Sequence, residues 1–144
     1  MEHNIEFFTQ DVDLPAIDYS LVRAGLSNLI EHHGLSCGPL SVIFCDNSYL
    51  LKVNQQFLDH DYYTDIITFN YSSKRIISGD LFISIQMVDD NALRLGGTFQ
   101  SELSRVIIHG VLHLLGYDDH KESDIKTMRQ QEEIWLNHFS ELAG

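Results

Sequence analysis

The feature that most constrains the fold is an aliphatic segment that carries two histidines. Residues 106–115 read Val-Ile-Ile-His-Gly-Val-Leu-His-Leu-Leu, and Thr98 and Gly116 are suited to the two ends of a helix around them. One helical turn takes about 3.6 residues, so His109 and His113 project from the same face. Because imidazoles buried without partners cost free energy, the segment predicts a buried helix whose histidines share a partner.

A metal ion is the partner that this spacing favours. Two histidines one turn apart can bind one Zn²⁺ through nitrogens at about 2.0–2.1 Å. Gly116 allows a sharp turn after the helix, and the turn can bring a third ligand, Asp119 or His120, back to the ion. Three protein ligands and a water are typical of a catalytic zinc site, whereas a structural site has four protein ligands. A structural cluster of polar side chains is the alternative.

The residue after the first histidine excludes one class of zinc enzyme. Proteases with the H-E-x-x-H motif use its glutamate as the general base. Here that position is Gly110, which has no group that accepts a proton. The motif therefore argues against peptidase activity.

Outside this segment, strand patterns alternate with helix patterns in the earlier part of the chain, and helix patterns dominate from residue 86 onward. Strand patterns occupy residues 4–8, 40–45, 65–71 and 79–85, and helix patterns occupy residues 15–33, 46–57, 86–95, 99–115 and 123–139. Pro15 is predicted to lie in the first turn of its helix. This order predicts one α+β domain over residues 1–144, with a small mixed sheet of about four strands and helices packed around it.

Composition indicates which class of protein this is and where in the cell to expect it. The 144 residues are 44% hydrophobic, enough for a real core, but no apolar run reaches the roughly 18 residues of a membrane-spanning helix. The N-terminus has no signal-peptide pattern, and the two cysteines are too few for a disulfide framework, so we expect a cytoplasmic protein. Cys45 is predicted to be a core residue and Cys37 a loop residue, and neither is predicted to bind metal.

The charge balance restricts what the protein binds. Nine basic residues stand against 21 acidic residues, and the formal net charge is −12. A uniformly acidic surface repels phosphate backbones. A nucleic-acid partner therefore requires a local basic patch or a bound cation.

At the histidine segment the chain resembles the YbeY family of metal-dependent endoribonucleases. The family signature H-G-x-L-H-L-x-G-Y-D-H is matched from His109 to Asp118. Residues 54–69 are similar to a second family block, N-x-x-[YF]-R-x-K-D-x-x-T-[DN]-V-L-S-F, and residues 79–84 are similar to its G-D-I-x-I strand. The resemblance thus extends over nearly the whole chain.

This resemblance implies a function. The family fold is α+β, and its cofactor is zinc, one ion per chain. The implied activity is cleavage of single-stranded RNA during 3′-end maturation of small-subunit ribosomal RNA, with a role in ribosome quality control. The implied partners are ribosomal RNA, the small ribosomal subunit and its associated factors, with no membrane partner. His109 and His113 would then act in catalysis through the metal.

Two departures from the family pattern affect the site. Asp119 stands where the family has its third histidine, so spacing favours Asp119 as the third ligand, while His120 serves if the turn holds one more residue. Leu58 stands at the family's phosphate-contacting arginine, and His60 stands at its lysine. Leu58 cannot neutralise a phosphate. His60 is a candidate catalytic residue because it can be protonated near one, and an ordinary loop histidine is the equal alternative.

Other functions and supporting residues stay open at this stage. A ribosome-assembly binding module with a structural metal and a hydrolase of another ester or amide are the alternatives to a nuclease. For the basic residues near the segment, ion pairing or solvation is the ordinary interpretation, and contact with RNA is the alternative; they are Arg105, Lys121, Lys126 and Arg129. For Thr64, Asp65 and Asp80, the ordinary interpretation is a position at the start of a strand, and support of the metal site is the alternative. For Tyr62 and Tyr63, packing is the ordinary interpretation, and stacking on RNA bases is the alternative.

Overall fold

The computed structural model describes residues 4–58 and 64–144. Within them lie four strands and five helices, which follow the chain as β1 (Ile5–Thr9), α1 (Tyr19–His32), β2 (Ser36–Cys45), α2 (Asn47–Leu58), β3 (Ile66–Asn70), β4 (Ile76–Ser84), α3 (Ile85–Leu95), α4 (Phe99–Leu114) and α5 (Glu122–Ala143). None of these helices has the length and apolar composition that crossing a membrane requires.

The strands form a mixed sheet in the order β1-β2-β4-β3. β2 pairs in parallel with β1 and β4, while β3 and β4 form an antiparallel hairpin joined by residues 71–75. Parallel neighbours need crossover connections, and α1 supplies one between β1 and β2. The predicted α+β class, with a mixed sheet of four strands, is confirmed.

Helix α4 lies against one face of the sheet and is the centre of the core. It packs on β3 and β4, and α1, α3 and α5 surround it. Its aliphatic residues Val106, Ile107 and Ile108 are almost completely buried, and burial of each such side chain contributes about 1.5–3 kcal/mol. Helix α2 packs on β3 and β4 around a second cluster that includes Ile67 and, at its edge, Phe82.

Polar side chains fix where the helices begin. Thr98 accepts a hydrogen bond from the backbone N–H of Ser101, so the predicted start of α4 is correct. The prediction for α1 is wrong by four residues. Asp18, and not the region of Pro15, provides the cap, because its carboxylate accepts from the N–H of Leu21. A side-chain acceptor satisfies a terminal donor directly, which outweighs the preference of proline for a first turn.

Gly79 lets α4 and β3 approach β4 closely. Gly79 lies inside β4, opposite Asn70 of β3. A Cβ atom at Gly79 would lie 2.3 Å from the backbone oxygen of Phe69 and 3.1 Å from a methyl carbon of Leu114. The backbone cannot yield as a side chain can, so this position requires glycine.

We therefore expect Gly79→Ala to destabilise the protein by about 3 kcal/mol, because the new methyl group overpacks a strand junction. Gly97→Ala is the matched control, since nothing lies within 4 Å of a Cβ atom there, and it should change stability by less than about 0.5 kcal/mol. Chemical denaturation of both variants measures the difference. Equal stability of the two would contradict the packing described for β4.

Candidate metal centre

Two histidines of α4 and one aspartate of the following loop converge on one point. The Nε2 atoms of His109 and His113 lie 3.0 Å apart. The Oδ2 atom of Asp119 lies 3.5 Å from the Nε2 of His109 and 3.3 Å from that of His113. The left-handed backbone of Gly116, with φ at 104°, turns the chain back toward the helix. The three side chains thus form one cluster that can hold a metal ion.

Hydrogen bonds on the far side of each ring decide which nitrogen faces the cluster. The Nδ1 of His109 lies 2.6 Å from a carboxylate oxygen of Glu132, and that of His113 lies 3.0 Å from the carbonyl oxygen of Tyr117. Both oxygens only accept, so both Nδ1 atoms donate a proton. In the neutral rings, each Nε2 then offers a lone pair to the centre.

When both rings are neutral, three acceptors face one another with no donor between them. The two Nε2 lone pairs and the carboxylate of Asp119 repel at 3.0–3.5 Å unless a cation lies between them. Tetrahedral ligands at about 2.0–2.1 Å from an ion lie about 3.3 Å apart. The observed spacing fits a bound divalent cation.

Glu132 is the buried residue that holds His109. Only 4% of its side chain is exposed. Burial alone would raise its pKa, but the hydrogen bonds from His109 and Arg105 outweigh burial and hold the pKa of Glu132 below its usual value. Arg105 donates to Glu132 at 2.9 Å and to Glu102 through two nitrogens. These bonds, with Glu102 first, raise the pKa of Arg105 despite its burial.

The sequence interpretation missed Glu132. The buried stripe of α5 consists of Met128, Glu132, Trp135 and Phe139, whereas Ile125 is 41% exposed. Glu132 follows Met128 by four residues, on the same face of the helix. A carboxylate in an apolar stripe was therefore the available signal. The ion-paired interpretation of Arg105 is correct.

The loop after α4 separates the two candidates for the third ligand. Asp119 faces both imidazoles, whereas the ring of His120 is 82% exposed and lies 3.2 Å from a carboxylate oxygen of Asp118. Asp118, Asp119 and His120 also bring ligand atoms together, at the exposed edge of the loop. The geometry favours Asp119, and the identity of the third ligand stays a prediction.

The cluster opens into a cavity of about 470 Å³. Leu58 lines it, so an apolar side chain lies where the family resemblance expects an arginine. Thr64 and Asp65 line it as well, and their side chains bond to the backbone of Ile66 and to Asn91, as expected for residues that begin a strand.

The remaining sequence predictions fall elsewhere. His60, Tyr62 and Tyr63 lie outside the described residues. Of the residues that are described, Asp80 does not line the cavity, and its carboxylate bonds to Tyr71. Lys121, Lys126 and Arg129 are exposed, in agreement with a solvated helix face for the two lysines.

Gly110 and the cysteines serve packing. A Cβ atom at Gly110 would lie 2.7 Å from a carbon of Ile66, so the glycine faces the sheet and lets α4 approach it. Cys37 is buried in β2, and the prediction of a loop residue is wrong. Burial, followed by the charge of Asp46, raises the pKa of the Cys45 thiol to about 12, so this thiol stays protonated in the core as predicted.

The chain is similar to known proteins of one family. The family model described as Endoribonuclease YbeY matches residues 5–140. The Endoribonuclease YbeY of Porphyromonas gingivalis is 44% identical over 140 residues, which cover 97% of this chain and 93% of the relative. That of Cytophaga hutchinsonii is 43% identical over 137 residues, covering 94% and 96%. A solution structure from Thermotoga maritima, 24% identical, has the same fold, with a TM-score of 0.67 over 94% of this chain and 88% of that one.

We expect Asp119→Ala and His120→Ala to differ in zinc content. Loss of Asp119 removes the carboxylate that faces both imidazoles. Losing a residue that only holds a metal ligand in place lowers affinity by about 10–100-fold, and the loss of Asp119 should lower the affinity for zinc by more than that. His120→Ala should keep the ion. Elemental analysis and competition with a chelator measure both. If both variants retain full zinc affinity, the three-ligand site is wrong, and if only His120→Ala loses the ion, His120 is the third ligand.

Glu132→Gln should weaken zinc binding by about 10–100-fold, because the neutral amide makes His109 a poorer ligand and leaves Arg105 with one charged partner fewer. Glu133→Gln removes the same charge from the exposed neighbour and should leave the affinity unchanged. Zinc affinity is measured by competition for both variants. An unchanged affinity of Glu132→Gln would show that the carboxylate does not tune the site.

Proposed function

The chain belongs to the YbeY endoribonuclease family, and we propose that it is a zinc-dependent endoribonuclease. Its substrate is single-stranded RNA. The family model spans residues 5–140, and the two relatives of that name described above are 44% and 43% identical over most of the chain. The observation that carries this proposal is the convergence of three acceptor atoms, from His109, His113 and Asp119, at the floor of an open cavity.

The site residues have distinct tasks in this proposal. His109 and His113 bind the ion through Nε2, and Asp119 adds a negative charge that strengthens binding of a divalent cation. Glu132 and the carbonyl of Tyr117 hold the rings in place. A bound zinc ion would place positive charge beside the phosphate and lower the pKa of its bound water to about 7, so that hydroxide is available near neutral pH.

An open coordination position distinguishes a catalytic site from a structural one. Zinc with three protein ligands leaves room for water or substrate, whereas four ligands close the site. Of the described residues, only the three named ones form a cluster around the two histidines. The cavity in front of them gives RNA access to the ion, which supports catalysis over a purely structural role.

For the cellular role, we infer maturation of the 3′ end of small-subunit ribosomal RNA and a part in ribosome quality control. This inference rests on the family resemblance, which also suggests a cytoplasmic location, the small ribosomal subunit and its associated factors as partners, and no membrane partner. His60 stays a candidate for phosphate contact. Sequencing the ribosomal RNA 3′ ends in cells that lack the protein tests this role, and correctly processed ends would exclude it.

Leu58 favours a second candidate function. It lies in the cavity at the position of the family arginine and cannot bind phosphate. A ribosome-assembly module that binds metal and has little or no nuclease activity would tolerate this residue. Retained binding to small subunits without cleavage of RNA by the zinc-loaded protein would favour the module.

We expect His113→Ala to reduce cleavage of single-stranded RNA to the level of the protein treated with a chelator. The variant loses one ring of the metal pair but no aliphatic contact of α4, so circular dichroism should show a folded protein. His138→Ala is the matched control, because His138 pairs with Asn28 and lines a different cavity. Gel analysis of a labelled oligoribonucleotide measures cleavage. Full activity of His113→Ala would exclude the metal-dependent mechanism.

A further inference from the structure

A second cleft adjoins the metal cluster, and Leu58 is not among the residues that line it. It lies between α3, α4 and α5, has a volume of about 360 Å³ and shares His109 and Asp119 with the cluster. Three of the five arginines of the chain line it, namely Arg94, Arg105 and Arg129. We call this region the arginine cleft. In a chain of net charge −12, this concentration of guanidinium groups at one place calls for a physical reason.

The three arginines differ in how far their charge is compensated. Arg105 is paired with two buried carboxylates and supports the protein interior. Arg94 donates one hydrogen bond of 2.7 Å, to the neutral amide of Asn91. Arg129 is exposed and has no ion-pair partner among residues 4–58 and 64–144. Arg94 and Arg129 therefore keep their charge available to a ligand.

The two carboxylates that line the cleft form no ion pair with Arg94 or Arg129 in the described part of the chain. Asp119 faces the two imidazoles, where its charge would be used by a bound cation. Asp65 accepts a hydrogen bond from Asn91 at 3.2 Å, and the same amide group of Asn91 accepts from Arg94. Asn91 thus holds Arg94 next to the cluster while the guanidinium keeps most of its donors free.

The chemistry of the cleft fits a phosphate chain. Guanidinium groups bind phosphate oxygens through paired hydrogen bonds and remain charged at any physiological pH. Leu58 leaves the cavity in front of the cluster without the expected arginine. An RNA strand that enters the arginine cleft passes His109 and Asp119, which line both the cleft and the cavity in front of the metal cluster.

We propose that Arg94 and Arg129 bind the backbone phosphates of single-stranded RNA next to the bond that is cleaved. This inference rests on the proposed nuclease function and supplies the phosphate contacts that Leu58 cannot make. The two arginines hold the substrate, so their loss should raise KM and leave kcat for saturated enzyme nearly unchanged.

The test compares Arg94→Gln, Arg129→Gln and the double variant with Arg75→Gln. Arg75 is exposed near the β3–β4 hairpin, so its substitution removes the same charge away from the cleft. Binding of a fluorescent oligoribonucleotide is measured by anisotropy at several salt concentrations, both in chelator and with the zinc-loaded proteins, the latter on a 2′-O-methyl phosphorothioate analogue that resists cleavage. Each cleft substitution should weaken binding about fivefold and lower the slope of log affinity against log salt by about 0.7, and Arg75→Gln should change neither.

Cleavage by the zinc-loaded proteins separates the two proposals. If the parent cleaves RNA and the cleft variants match Arg75→Gln in affinity, salt slope and KM, the arginine cleft is wrong and the nuclease stands. If the parent binds RNA without cleaving it and the cleft variants lose affinity, the nuclease is wrong and the cleft is supported as an RNA-binding surface. Absence of RNA binding by the parent, both in chelator and with zinc, would overturn both.

Discussion

The hydrogen bond between His109 and Glu132 is the interaction on which the site depends. A carboxylate that is 4% exposed has lost nearly all its water, which costs several kcal/mol unless charged or polar partners replace it. His109 and Arg105 are those partners, at 2.6 and 2.9 Å. Because Glu132 belongs to α5 and both partners belong to α4, the orientation of the imidazole depends on how the two helices pack. A shift of α5 would leave a buried charge unpaired, so the ring position is held firmly.

Helix α4 packs into the core with one face and carries the metal-binding histidines on another. Its aliphatic side chains and Gly110 face the sheet and the neighbouring helices, while His109 and His113 face the cavity. Gly79 of β4 lets the end of α4 lie close to the sheet, as contact with Leu114 shows. The two histidines are therefore mounted on the most buried helix of the core. A site on such an element keeps its geometry better than one built on loops alone, and only Asp119 comes from a loop.

The residues that the sequence predicted well depend on local signals. The ends of α4 and its histidine face follow from caps and periodicity within a few positions. Glu132 was missed because its partner lies 23 residues away, and periodicity says which face a residue occupies but not which helix covers it. The third ligand stayed open between Asp119 and His120 because helical spacing ends at Leu114 and does not fix the direction of the loop. Pro15 failed as a helix start because Asp18 competes with a direct hydrogen bond.

The net charge of −12 does not prevent a polyanion from binding, but it restricts the places on the surface where one can bind. At physiological salt, exposed charges act over about 8 Å, so carboxylates on distant faces contribute little at the metal cluster. Near the cluster, Arg94, Arg129 and a bound divalent cation would set the potential. The acidic remainder of the surface would repel an RNA strand in every other orientation, and like-charge repulsion of this kind suppresses wrong docking modes. An acidic protein with an arginine-lined cleft beside a bound cation is thus better suited to hold RNA at a single place than a uniformly basic protein would be.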